Sequence, residues 1–341
     1  MKAIILQEAG KLIAQVHEMP ENLSSHEALV KVHRIGICGT DIHAFKGRQP
    51  FFTYPRILGH ELGVEVIALG DEVYHLKVGD KCSVEPYFNR TLDQAVRRGK
   101  TNCGENISVF GVHEDGGMRE YFKIDAKYLH PSLSLSYWQL ALIEPLAIGY
   151  HAIQRAAPVK EDKILVIGAG PIGLATAQFA TLASKEVVVM DINAERLAVC
   201  QSKLRIKDTI HLKDQNFPIV DVLRKLFDGD LPTVILDATG NPESMKTTLE
   251  LAAHGGKIVF IGLYQGDFCF HDPLFHRKEL TLMASRNALG RDFKQIIELI
   301  ENGKINTDFW ITHRICFDEL PDQFEDLFFG NQFVIKAIVE L

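Results

Sequence analysis

The sequence predicts an α/β protein of two domains, a β-rich domain with long loops and a doubly wound parallel-sheet domain. Three observations carry this. The chain has 341 residues, too many for one ordinary core. Its first third reads as short strands punctuated by glycine. From Ile164 onward, wholly apolar strands alternate with helical patterns, which is the texture of a parallel sheet covered on both faces.

The elements follow in order. "MKAIILQEAGKL" reads as a first strand, its apolar stretch too short for the core of a signal peptide. "ALVKVHRIGI", "LGVEVIALG", "GDKCSVEPYF" and "EYFKI" are further strands, marked by alternation and by turns such as "LGDEV". "KILVIGAGPIGLATAQFATLA" is a strand, a glycine turn and a helix. "EVVVMD", "TVILDATG" and "GKIVFIGL" repeat the apolar strand, while "NAERLAVCQSKL" is helical. "DFKQIIELIENGKI" is an amphipathic helix stopped by Gly303, and the tail "FVIKAIVEL" returns to strand. We expect residues 1–149, completed by 290–341, to form the β-rich domain and 150–289 the parallel-sheet domain.

Composition narrows the class. A hydrophobic content of 46% and a charged content of 24% are those of a globular chain. A formal net charge of -7 argues against a nucleic-acid groove or an anionic membrane surface. The densest basic run, Arg97 to Lys100, reads as a solvated face. No apolar run approaches a membrane span. Six scattered cysteines without a C-x-x-C pair suit a reducing cytoplasm.

"GAGPIG" places G-x-G-x-x-G at Gly168, Gly170 and Gly173, with Pro171 and Ile172 between, directly after a strand and opening a helix. That context is the one a dinucleotide site requires. The first glycine makes the turn, the second admits a pyrophosphate, and the third brings helix and strand together. Asp191 ends the next strand, where a carboxylate can accept ribose hydroxyls. A 2′-phosphate there would meet like charge, and Ile192 and Asn193 supply no cation, so NAD is expected over NADP.

"GICGTDIHAFKG", from Gly36 to Gly47, gathers Cys38, Thr40, Asp41 and His43 on what reads as a tight bend, its two glycines arguing against a helix. Alone, Cys38 could be a small buried hydrophobe. Beside "ILGHELGVEV" it joins His60 and Glu61 in a thiolate, imidazole and carboxylate set that an open catalytic zinc site accepts. Two adjacent ligands cannot both point inward from a regular strand, so Gly59 is expected to bend the chain. Asp41 reads as a carboxylate fixing the turn.

With "GICGTDIH", "GHE", "EPLAIGYHA", "VIGAGPIGL", "DATGNP" and "GGKIVFIGLYQG", the sequence resembles the zinc-dependent medium-chain dehydrogenase/reductase family, in its sorbitol dehydrogenase-like polyol branch. The resemblance implies a GroES-like catalytic domain, a Rossmann domain and an active-site cleft between them. It implies catalytic zinc on Cys38, His60 and Glu61, with Glu144 a ligand that swaps with water and substrate. Thr40 and His43 match a proton relay from the substrate hydroxyl. Arg196, Thr239, Gly240, Gly262 and Leu263 join the cofactor contacts. Cys38 and Glu61 as anions just balance a divalent zinc, so a permanent Glu144 ligand would leave the site negative. Glu144 is therefore expected on zinc mainly without substrate.

The chain departs from the family at the second, structural zinc. In "EPYFNRTLDQAVRRGKTNC", Arg90, Asp93 and Val96 replace three cysteines and only Cys103 remains, so that site is expected to be absent. Leu92, Ala95 and Val96 could form a short apolar helical face in its place. "GICGTDIHAFKGRQPFFTYPRILGHE" and "SRNALGRDF" look like a bacterial sub-group that oxidises hexonic acids. Arg48, His113 and Arg286 are the cations available to such an acid. Neutral polyols stay open as substrates, as does a nucleotide-sensing protein without catalysis. The apolar segment Phe268 to Ser285, read as strand broken at Pro273, suggests a sheet edge that pairs in a homodimer or homotetramer.

Overall fold

In a computed structural model, which describes residues 1–49, 52–214, 218–330 and 332–341, the chain divides into two units. Pro50 and Phe51 of the hexonate-like stretch lie outside the described residues. The first unit comprises Met1–Glu144 and Ala288–Leu341, the second Pro145–Asn287. Among the described residues, no helix is long and apolar enough to cross a membrane.

The first unit is built on the strand Glu27–Gly36. Its alternation buries Ala28, Val30 and Val32 on one face. A register shift between Val32 and Arg34 then changes phase, so that Ile35 and Gly36 are both buried. Along the sheet the order is Leu129–Ser132, Lys81–Val84, Glu61–Leu69, Glu27–Gly36, Lys336–Glu340, Ile311–Cys316, with Tyr121–Asp125 also paired to Glu27–Gly36. Gly36 lies opposite Glu61 on one side and Ile338 on the other. That register sets the end of the last strand beside the "GHE" turn.

The second unit is a sheet of parallel strands. Its order is Asp208–His211, Glu186–Asp191, Lys163–Ile167, Val234–Asp237, Lys257–Phe260, Thr281–Ala284. The chain leaves the central strand Lys163–Ile167 first to one side and then to the other. Ligands of doubly wound sheets bind where the strand order reverses, so the crevice lies at the ends of Lys163–Ile167 and Val234–Asp237. Ile164 to Ile167 and Val234 to Asp237 are all buried, which is why these strands read as continuous apolar runs.

Two sequence expectations need correction. The bend after Cys38 is a helix, Gly39–Phe45, despite its glycine. The Cys38 N–H donates to the Asp41 carboxylate at 2.9 Å, and this bond starts the helix where propensity would not. The segment Phe268 to Ser285 is mostly not strand. Pro273 sits in the first turn of a helix, Asp272–Arg277, where its fixed φ is already suitable. Only Thr281–Ala284 forms the edge strand.

Candidate functional site

Cys38 is half-buried at the N-cap of Gly39–Phe45. Its neighbour Asp41 is buried, and burial raises the pKa of that carboxyl against the pull of His60. Thr40 and His43, three residues apart, share a face of the helix, Thr40 half-buried and His43 exposed.

His60 ends the loop before the strand Glu61–Leu69, and Glu61 opens that strand. Gly59 has φ +91, a value that suits glycine, and this lets the chain turn just before the two side chains. One ligand atom each from Cys38, His60 and Glu61 lies within 4.8 Å of the other two. Burial works against a charge on His60, yet Cys38 and Asp41 hold its pKa well above the ordinary value. Anions that hold a proton there equally attract a divalent cation. Within this interior the Nδ1 of His60 and the Oδ1 of Asp41, 3.8 Å apart, have no hydrogen-bond partner. A soft sulfur, an imidazole and a carboxylate so disposed fit zinc with one position left open.

The sequence reading missed Lys336. Its ammonium donates to both Glu61 oxygens, at 2.6 and 2.7 Å, and to the Ile37 carbonyl at 3.1 Å. Both side chains are essentially dry, at 2% and 1% exposure. Burial opposes the charge on Lys336, but Glu61 and Cys38 raise its pKa all the same. A carboxylate has about four lone-pair sites, so Glu61 keeps two for a metal. Gly36 makes room for it, since a Cβ there would stand 2.1 Å from the Glu61 Oε2. The available signal was a lone lysine inside the apolar run "FVIKAIVEL", because a lysine is rarely buried unless paired.

Glu144 is buried in the helix Tyr137–Ala156 but is not a member of the Cys38, His60 and Glu61 cluster. Its Oε1 accepts the hydroxyl of Tyr87, a second residue the sequence reading passed over. Burial and the Glu61 carboxylate raise the Glu144 pKa, against His60 and Tyr87. Burial and Glu144 in turn push the Tyr87 phenol well above its ordinary value, so it stays a neutral donor. The expected charge balance omitted Lys336. Its ammonium offsets one of the carboxylates around the cluster, while the Asp41 carboxylate, also buried there, adds to them.

In the lobe where relatives would carry cysteines, Arg90 donates to Glu114 at 2.7 Å. Asp93 caps the short helix Gln94–Arg97 through the Val96 N–H at 2.9 Å and accepts the Glu105 N–H at 2.7 Å. A carboxylate thus ties the lobe together. Leu92 is 75% exposed because it precedes that cap, which corrects the expected apolar face; Ala95 and Val96 are half-buried. Cys103 is exposed. The three candidate substrate cations, Arg48, His113 and Arg286, are exposed as well. The Nδ1 of His113 accepts the Val109 N–H, a turn-fixing bond.

In the second unit, Gly168 has φ +91 and Gly170 caps the helix Pro171–Ala183, with Pro171 in its first turn and Ile172 next. A Cβ on Gly173 would stand 1.7 Å from the Gly168 carbonyl oxygen, so no larger residue fits. Asp191 is buried; its carboxylate accepts the Ala169 N–H and, at 2.7 Å, the Asn193 N–H. It thereby holds the glycine loop against the end of its own strand, keeping lone pairs for a ligand. The Arg196 guanidinium lies 3.5 Å from where a Gly170 Cβ would be. Thr239 closes the next loop on Asp237, and Gly240 and Gly262 touch so closely that a Cβ on Gly262 would stand 2.1 Å from the Gly240 nitrogen. Leu263 and Ile192 are exposed at the rim.

Residues 24–134 match the alcohol dehydrogenase GroES-like domain and residues 171–302 the zinc-binding dehydrogenase domain. The chain is 41% identical over 340 residues to the L-galactonate-5-dehydrogenase of Escherichia coli strain K12, covering 99% of this chain and 98% of that one. It belongs to the zinc-dependent medium-chain dehydrogenase/reductase family. The enzyme is also 30% identical over 332 residues to the sorbitol dehydrogenase of Gallus gallus, covering 95% and 92% of the two chains. The crystal structure of the alcohol dehydrogenase RspB from Escherichia coli CFT073, complexed with NADH, superposes with a TM-score of 0.92. That pair is 28% identical and covers 100% and 99% of the two chains. The enzyme is an oxidoreductase of this family, with the fold its sequence predicted.

Proposed function

We propose that the enzyme oxidises a secondary hydroxyl of a hexonate-like sugar acid with NAD, and catalyses the reverse reduction. The observation that carries the substrate class is the full-length similarity to an L-galactonate-5-dehydrogenase. Cys38, His60 and Glu61 would hold one zinc, which supplies Lewis acidity toward the substrate hydroxyl. Thr40 takes the hydroxyl proton and passes it to His43, on the exposed end of the same helix face. Lys336 fixes the Glu61 carboxylate. NAD accepts the hydride, with its pyrophosphate at Gly168, Gly170 and Gly173 and its adenosine ribose at Asp191. Its remaining contacts are Arg196, Thr239, Gly240, Gly262 and Leu263.

A screen of sugar acids and polyols with NAD, followed through the absorbance of reduced cofactor, tests this reading. Hexonates should be turned over in preference to neutral polyols. The reverse order would favour polyol oxidation, the second reading, to which the similarity to sorbitol dehydrogenase lends weight. Arg48, His113 and Arg286 are the cations whose replacement by Met should raise KM for the acid and not for a polyol.

Three further expectations accompany this reading. Purified enzyme should contain about one zinc per chain, because Arg90 and Asp93 stand where cysteines would be needed and are engaged in bonds of their own. Two tightly held zincs by metal analysis would refute it. Asp191→Ser combined with Ile192→Arg should shift preference toward NADP, by removing like charge and supplying a cation; equal use of both cofactors by the unaltered enzyme would overturn the role of Asp191. The outer edge of Thr281–Ala284 carries no strand partner among the described residues, so we expect two copies to pair there in a dimer or tetramer. Sedimentation as an active 38.3 kDa monomer would end that expectation. The six free thiols suit a cytoplasmic setting.

A further inference from the structure

The position of Glu144 is not left to its own rotamer. Tyr87, 2% exposed, donates its hydroxyl to the Glu144 Oε1. The Tyr87 ring is itself gripped. Phe293, fully buried on the helix Gly290–Glu301, meets it edge-on with centroids 6.3 Å apart and planes at 73°. His130 stacks on Phe293 at 5.1 Å and 27°, and its Nε2 is bonded to Glu85 Oε2 at 3.0 Å. Glu85 lies against the start of that helix, so close that a Cβ on Gly290 would stand 2.7 Å from its Oε2. Three chain segments far apart in sequence thus converge to fix one phenol.

We propose that Tyr87 is a positioning residue that holds Glu144 off the metal in the resting enzyme. The proposal rests on the reading that Cys38, His60 and Glu61 hold zinc. Three protein ligands leave a catalytic zinc one open position, whereas a fourth closes the tetrahedron as in a structural site. Glu144 carries a buried carboxylate that interacts electrostatically with His60 and Glu61 without belonging to their cluster. One of its oxygens is committed to the Tyr87 hydroxyl. Remove that hydroxyl, and the carboxylate is free to become the fourth ligand and compete with substrate.

The test is the rate at which zinc-loaded enzyme gives up zinc to a coloured chelator, measured beside kcat and KM. Tyr87→Phe should release zinc about tenfold more slowly and show a raised KM, the scale on which partners of metal ligands act. In a Glu144→Gln background the same change should leave zinc release unaltered, since an amide is a poor substitute ligand. Glu144→Gln alone, with Tyr87 intact, should release zinc at the unaltered rate, a prediction independent of how well the phenylalanine variant folds. Unchanged or faster release from Tyr87→Phe, or about tenfold faster release from Glu144→Gln, would overturn the proposal. Unaltered enzyme that takes up no zinc would overturn the metal-site reading, and the proposal with it.

Discussion

Lys336→Met should destabilise the metal-free enzyme by about 3–5 kcal/mol, the cost of leaving one member of a buried ion pair without its partner. The lysine is almost fully enclosed and gives all three of its protons to Glu61 and Ile37. Methionine fills much of the same volume, so the loss is one of charge and hydrogen bonds more than of packing. The Glu61 carboxylate would then be desolvated without the ammonium that donates to both of its oxygens. Urea denaturation reads the effect directly. Adding Glu61→Gln should restore part of the stability, because it removes the orphaned charge, but should not restore zinc binding. A midpoint for the single variant equal to that of the unaltered enzyme would mean that the pair is not formed in solution.

Cys38→Ser and His60→Ala should each lower kcat/KM by about 10³-fold or more through loss of zinc, whose Lewis acidity is worth several kcal/mol in the transition state. The serine variant is the more informative of the two. Cys38 is an N-cap, and serine is among the best N-cap residues, so the helix Gly39–Phe45 should be kept. An inactive Cys38→Ser enzyme with an unaltered circular dichroism spectrum and little zinc would separate metal binding from folding. Thr40→Val serves as the counterpart. It should keep zinc yet slow turnover by about 10²–10⁴-fold, as loss of a proton-transfer step does. Normal turnover across the pH range in Thr40→Val would exclude the relay.

The difference between these residues lies in how each is specified. Cys38, His60 and Glu61 were legible because their residue types are uncommon together and two of them are neighbours in the chain. The glycine loop was legible because strand, turn and helix are contiguous, so its chemistry sits within one short stretch. Lys336 and Tyr87 were passed over because each looks ordinary where it stands. One is a lysine in a strand, the other an aromatic beside a proline. The helix after Cys38 was misread for a related reason. Gly39 lowers helix propensity; Asp41 does fix the turn through a backbone N–H, as its residue type suggested, but that the same bond starts a helix is decided by the geometry.

From the sequence alone came the two domain types, the glycine loop that Asp191 closes, and the trio Cys38, His60 and Glu61 that the structure brings together. Each depends on local pattern, either the period of apolar residues or a motif whose spacing a turn or helix fixes. Tertiary structure alone decided what stands beside the trio. Lys336 reaches Glu61 from 275 positions away because Gly36 pairs with Glu61 on one side and with Ile338 on the other. That register arises from the packing of a whole sheet, including a shift near Val32, and no stretch of chain encodes it. Tyr87 reaches Glu144 across 57 positions through a cluster closed by Phe293, from still further along the chain. Local pattern therefore names the groups that the structure clusters, while their charge balance and orientation are set by long-range packing.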